Sequence, residues 1–340
     1  MYATKRLKHI DATRGFAIVC VVIGHVLGKI VEAEGFNTLS PYNILFKFIY
    51  SFHMPLFFFL SGVFIDSYLN KNKLKGIKTK FIRLMIPYFI WTFIFVVLKQ
   101  LSPSLQSNET SWGVFFRSPI DPNPLQYWFL YVLFAIYILY SVLNYVIVDI
   151  EKLKGCIFFV AAVLALINPC IRNVWISNYL FKNLVYFSLG TFYINDLRQL
   201  KKKYNMFIGV LFLISEIAYF LTAYNAAIYK SYIVIICGIT GVIFITYLFD
   251  KLCNEREEKG VGAFLSFNGV HSMEIYCIHP IVASVIRIVI NRILRLAHYN
   301  NTVFELILTI AVTIAICDII VLVLKKSKVF GLLFGTNIHR

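Results

Sequence analysis

Arg14-Gly-Phe-Ala-Ile-Val-Cys-Val-Val-Ile-Gly-His25 sets an arginine and a histidine at the two ends of an otherwise apolar run. On an α-helix, eleven steps of 100° return to within about 20° of the starting direction, with a rise of roughly 16 Å. Arg14 and His25 therefore share one helix face, about half a bilayer apart in depth. Ionisable side chains are costly inside lipid and usually face a protein interior or a wet cavity. The stretch reads as a membrane span with chemistry along one side.

The rest of the chain has the same character. Of 340 residues, 59% are hydrophobic, and the mean hydropathy is +0.74, well above that of an ordinary soluble domain. Only 15% are charged, yet the formal net charge is +16. The basic residues are scattered between apolar runs, which points to cytoplasmic loop charge and away from a nucleic-acid partner. The seven cysteines are an odd number, lie mostly in or beside apolar runs and form no C-x-x-C pair. They read as small hydrophobes, not as a disulfide or zinc framework.

About ten apolar stretches approach the ~20 residues that a helix needs to cross a bilayer. They run roughly over 11–31, 44–66, 83–101, 125–147, 155–169, 174–194, 205–224, 230–249, 271–291 and 303–324. The fold class expected is an all-α polytopic membrane protein. The first run follows Lys5, Arg6 and Lys8 but is long and lacks a small-residue cleavage site, so it reads as a retained helix. With the N-terminus inside, about two thirds of the 33 Lys and Arg fall in inner segments, which places both termini in the cytoplasm.

The most basic inner loop carries Lys71, Lys73, Lys75, Lys78 and Lys80 and ends at Arg83; as a whole it suits contact with anionic membrane lipid. At its end, Lys80 and Arg83 stand one helical turn apart, a spacing able to hold a phosphorylated ligand at the inner membrane face. The second span contains His53, then Pro55, which would kink the helix or start a fresh segment. Ser61 and Gly62 follow as a small patch open to close approach by a helix or a ligand. His53 and His25 both fall in the outer halves of their spans. No arrangement of His, Cys and carboxylates offers zinc-site spacing, so no metal is expected. Glu274 and His279 are further ionisable groups on the ninth span, with Lys182, Arg287 and Asp318 elsewhere in apolar runs. Trp128 fits an aromatic belt or a sugar-stacking surface. Asn108-Glu-Thr110 fits the glycosylation triplet, which is weak evidence by itself.

Taken in order, these residues resemble a known family. Asp11-x-x-Arg14-Gly15, Gly24-His25, Phe52-His53-Met54-Pro55-Leu56 through Ser61-Gly62, Lys80-x-x-Arg83 and Pro87-Tyr88 look like the acyltransferase-3 family of integral membrane acyltransferases. Its short, fucose 4-O-acetylase-like members are the most similar. Arginine, ten residues, then histidine in the first span is the family's signature. Tyr127-Trp128, Leu189-Gly190 and Ser272-x-x-Ile275-Tyr276-x-x-His279 resemble weaker family features. The resemblance covers nearly the whole chain and implies one membrane acyltransferase domain over 1–340 in the cell membrane.

It further implies transfer of an acyl group, most simply acetyl, from cytoplasmic acetyl-CoA or another short acyl-CoA. The acceptor would be a hydroxyl on a surface glycan or lipid-linked sugar. In that scheme His25 is the base, since neutral imidazole suits proton removal near pH 7. Arg14 orients or stabilises donor groups, with Asp11 three residues earlier able to pair with it. Lys80 and Arg83 would hold donor phosphates, and His53, Ser61, Trp128, Glu274 and His279 would meet the acceptor. A covalent acyl-histidine is an alternative route. A transporter or flippase for a glycan is the competing class, but the halves show no similarity and the motifs crowd into the first ~90 residues.

Overall fold

The computed structural model describes residues 7–35, 40–70, 73–101, 112–122, 126–171, 176–194, 198–222, 227–253, 259–297 and 301–336, and no strand occurs among them. The Asn108–Thr110 triplet lies outside the described residues. In chain order the helices are α1 (Lys8–Glu34), α2 (Pro41–Gly62), α3 (Ile65–Leu69), α4 (Lys73–Lys80), α5 (Ile86–Leu101), α6 (Trp112–Arg117), α7 (Trp128–Val146) and α8 (Ile150–Ile167). They continue as α9 (Lys182–Thr191), α10 (Arg198–Leu221), α11 (Ala227–Leu252), α12 (Val261–Val270), α13 (Ser272–Leu296), α14 (Thr302–Leu324) and α15 (Lys328–Phe334). The protein is an all-α polytopic membrane protein, the architecture in which each backbone polar group is satisfied within its own segment.

Eight helical stretches among the described residues are long and apolar enough to cross a membrane: α1, α2, Leu74–Leu101, α7, Ile150–Cys170, Ile228–Leu252, α13 and α14. Two expected spans are shorter than the sequence suggests. The 174–194 stretch forms a π-helical turn over Ile176–Phe181 followed by the ten-residue α9. In α10 only Met206–Leu221 is apolar, because the helix begins at Arg198 and passes three consecutive lysines. The ten-residue α12 was not foreseen as an element of its own.

Local chemistry sets the boundaries. Ser40 caps α2 by accepting the Asn43 N–H at 3.2 Å, with Pro41 at the first helical position. Asp149 caps α8 by accepting from the N–H groups of Glu151 and Lys152. Pro55 and Pro280 lie inside α2 and α13, where each removes one helical hydrogen bond and bends its helix.

The chain forms two compact units. The first comprises Met1–Val63 and Tyr186–Asp318, the second Phe64–Val185 and Ile319–Arg340. In the first, α1 is the central element, with Ala12, Ala17, Ile18, Leu27 and Val31 fully buried. Gly15 and Gly269 bring α1 and α12 into backbone contact. A Cβ on Gly15 would collide with the Leu265 carbonyl, and one on Gly269 with that of Asp11.

In the second unit the Tyr68 hydroxyl pairs with Ser141 at 2.7 Å, and Tyr88 donates to the Ser118 carbonyl at 2.9 Å. Lys154, wholly buried, is held by Glu151 at 2.9 Å and Asp66 at 3.3 Å. The short α15 docks on α5: Trp91 donates its indole N–H to the Leu333 carbonyl and stacks on Phe334.

Candidate active site

The direction of the helices around α1 follows from pairwise contacts. Arg14 reaches Leu60 on α2, while Gly24 lies against Tyr50 and Ile49, so α2 runs antiparallel to α1. On the other flank, Gly15 meets Gly269 and His25 meets His279. Ten residues along one helix thus match ten along the other, so α1 and the α12–α13 pair run parallel. The chain passes from α12 to α13 with helical bonding kept, from His271 N–H to the Phe267 carbonyl and from Ile275 N–H to the His271 carbonyl.

Arg14 is half-buried, and its Nη2 donates to the Leu60 carbonyl at 3.3 Å. α2 ends at Gly62, so Leu60 carries one of the last carbonyls, which lack a partner within the helix. Ser61 turns its hydroxyl back onto the Phe57 carbonyl at 2.8 Å. The small patch at Ser61-Gly62 is met by a helix: a Cβ on Gly62 would strike the Phe187 carbonyl of α9. Asp11 is half-buried on the same helix one turn before Arg14.

Three imidazoles gather near the other end of the face. His25 and His279 have ring centroids 4.8 Å apart at 70°, edge to face. His53 meets the Tyr50 ring edge-on at 4.7 Å, and Tyr50 in turn lies against Gly24, next to His25. His53 and His279 are 3% and 1% exposed, whereas His25 is half-buried as a residue. Glu274, 6% exposed, opens α13 in its first turn.

The two buried histidines are fixed by the same device. His53 Nδ1 lies 2.7 Å from the Ile49 carbonyl, and His279 Nδ1 lies 3.0 Å from the Ile275 carbonyl. A carbonyl only accepts, so Nδ1 carries the proton in both rings and Nε2 carries the lone pair. Each histidine stands just before a proline within its helix, at Pro55 and Pro280. In both cases the carbonyl lies one helical turn before the histidine that binds it.

The remaining expected site residues belong to the second unit. Lys80 ends α4 with its ammonium 3.7 Å from the centroid of the Tyr137 ring and 5.6 Å from that of Tyr68, a cation–π arrangement. Arg83 is exposed. Between them the helix widens into a π turn over Phe81–Met85, closed by Ile86 N–H to the Phe81 carbonyl. That widening alters the one-turn alignment expected for the pair. Trp128, half-buried, packs on Tyr179 with ring centroids 4.6 Å apart.

One ionisable group escaped the reading of the sequence. Glu216 on α10 is 4% exposed and accepts a hydrogen bond from the Ser51 hydroxyl of α2; its other carboxyl oxygen is buried with no hydrogen-bond partner among the described residues. An acid within the apolar 205–224 run was the available signal. Asp318, an ionisable group in the last apolar run, accepts from the Asn268 amide at 3.5 Å.

A family model described as "Acyltransferase domain" matches residues 7–322. The chain belongs to the acyltransferase-3 family. Nodulation protein NolL of Mesorhizobium japonicum is 30% identical over 136 residues, covering 39% of this chain and 35% of that protein. Nodulation protein NolL of Sinorhizobium fredii is 30% identical over 131 residues, 38% of this chain and 34% of that protein. The chain thus spans about a third of the length of the curated relatives it matches. No solved structure matches. The family match takes in Arg14, His25, His53, Lys80, Arg83 and His279 in one continuous domain model.

Proposed function

We propose that this acyltransferase-3 protein is an O-acyltransferase of the cell membrane. It moves an acyl group, most simply acetyl, from cytoplasmic acetyl-CoA or another short acyl-CoA to a hydroxyl of a surface glycan or lipid-linked sugar. The observation that carries the reading is His25 set edge to face against the tautomer-fixed ring of His279, on the face that also holds Arg14.

The chemistry balances without an added reagent. His25 takes the proton of the acceptor hydroxyl as its oxygen attacks the thioester carbon. Arg14 and neighbouring donors offset the negative charge that builds on the donor. The C–S bond breaks as the C–O bond forms, and His25 returns the proton to the leaving thiolate. Lys80 and Arg83 hold donor phosphates, while His53, Ser61, Trp128 and Glu274 meet the acceptor. Asp11 orients Arg14. Both chain termini lie in the cytoplasm in this scheme.

Membrane vesicles from cells expressing the protein, given labelled acetyl-CoA, test the reading. Label should pass to membrane glycan and vanish in His25→Ala at equal expression. Undiminished transfer in that variant overturns the role of His25. Movement of glycan without label would instead identify a flippase.

A further inference from the structure

Among the described residues, His279 Nε2 is a buried side-chain acceptor without a hydrogen-bond partner, and its ring touches His25. A buried polar atom left unpaired is costly, so its persistence needs an explanation. The tautomer supplies one. Because Nδ1–H of His279 is committed to the Ile275 carbonyl, Nε2 can only accept, and the adjacent ring able to donate is that of His25. Resting on the acyl-transfer reading above, we infer that His279 is the positioning residue of a His25–His279 dyad. The two rings touch without a hydrogen bond in this structure; a turn of the His25 ring lets Nε2 of His279 receive its N–H, so that the other nitrogen of His25 faces the acceptor hydroxyl as base.

The assignment has a chemical consequence. When His25 takes the acceptor's proton it becomes an imidazolium with two N–H groups. One gives its proton to the departing thiolate, and the other stays on His279 Nε2, which spreads the positive charge over two rings. This is the part a carboxylate plays behind the histidine of a serine-hydrolase triad, where it fixes tautomer and orientation. Here a neutral ring fills it, itself oriented by the Ile275 carbonyl one helical turn earlier. His279 reaches the substrate only through His25.

Two substitutions separate the two nitrogens of His279. His279→Gln places a carbonyl oxygen near the Nε2 position and keeps an acceptor for His25. His279→Asn keeps a donor near the Nδ1 position for Ile275 and loses that acceptor. In nanodiscs with ring-¹⁵N histidine, the His25 signals of the Gln variant should match the wild type, and those of the Asn variant should show the tautomer released to a mixture. In the vesicle assay the Asn variant should lose about 100-fold in rate at saturating acetyl-CoA with an unchanged KM for it, while Gln stays within about tenfold of wild type. Equal His25 spectra in all three proteins, or equal rates for Gln and Asn, overturn the dyad. The spectra need no turnover, so they decide the pairing even if His25→Ala shows that the acyl-transfer reading has failed.

Discussion

Gly15 of α1 and Gly269 of α12 meet backbone to backbone, and ten residues further along each helix His25 meets His279. The glycine contact sets how closely the helices approach, and the parallel register carries that spacing to the imidazoles. Close approach through small residues is a common way for membrane helices to pack.

Enlarging either glycine should therefore disturb the histidines from a distance. Gly269→Val would press a branched side chain into the Asp11 carbonyl, and overpacking of this kind costs about 1–3 kcal/mol. Thermal unfolding in detergent should fall by several degrees, and the ring-¹⁵N signals of His25 should shift. A stable variant with unchanged signals would show that the contact does not set the site.

Glu216 offers a separate test of packing. The Ser51 hydroxyl lies within reach of both the Phe48 carbonyl, at 2.7 Å, and the Glu216 carboxyl. An amide at position 216 can donate to Ser51 while Ser51 donates to Phe48, so Glu216→Gln should unfold within a few degrees of wild type. Glu216→Ala opens a hole and removes a partner of Ser51, at roughly 1–3 kcal/mol. Matching melting temperatures for Gln and Ala would refute this account.

Lys80 and Arg83 should behave differently in donor binding. Arg83→Ala removes an exposed charge and should raise the KM for acetyl-CoA several-fold with little change in maximal rate, as expected for uniform binding. Lys80→Met loses its cation–π contact with Tyr137 as well, worth about 0.5–2 kcal/mol, and should also lower the melting temperature. Equal stability of the two variants would count against the placement of Lys80 over Tyr137.

Sidedness can be measured directly. In a cysteine-free background, a cysteine at Lys78 should react with an impermeant maleimide only after the membrane is opened. One at Gly35 should react in intact cells. The reverse pattern would invert the cytoplasmic assignment of both termini.

The spacing of Arg14 and His25 was legible because helical periodicity is local, and the ionisable groups stood out against apolar neighbours. His53 and His279 were visible as residues. Their fixed tautomers were not, since these depend on how each ring turns toward the carbonyl of Ile49 or Ile275 one helical turn before it. The separate α12 stayed hidden because Gly260–Val270 reads as a loop until Gly269 is seen against α1. Glu216 passed unremarked in a run read for its hydrophobicity. The π turn at Phe81–Met85 has no periodic signature, so the sequence alone puts Lys80 and Arg83 one turn apart on an ordinary helix.

A π turn is a helix holding one residue more than its neighbours need. Deleting Ile82 would let that stretch close as an ordinary α-helix, with Arg83 only two residues from Lys80 and so on another side of the helix. The same deletion would remove the carbonyl against which Gly335, with its left-handed backbone, seats the end of α15. A single-codon loss at this point would thus re-aim Arg83 and unseat the C-terminal helix together, tying the geometry of the basic edge to a segment some 250 residues away in the chain.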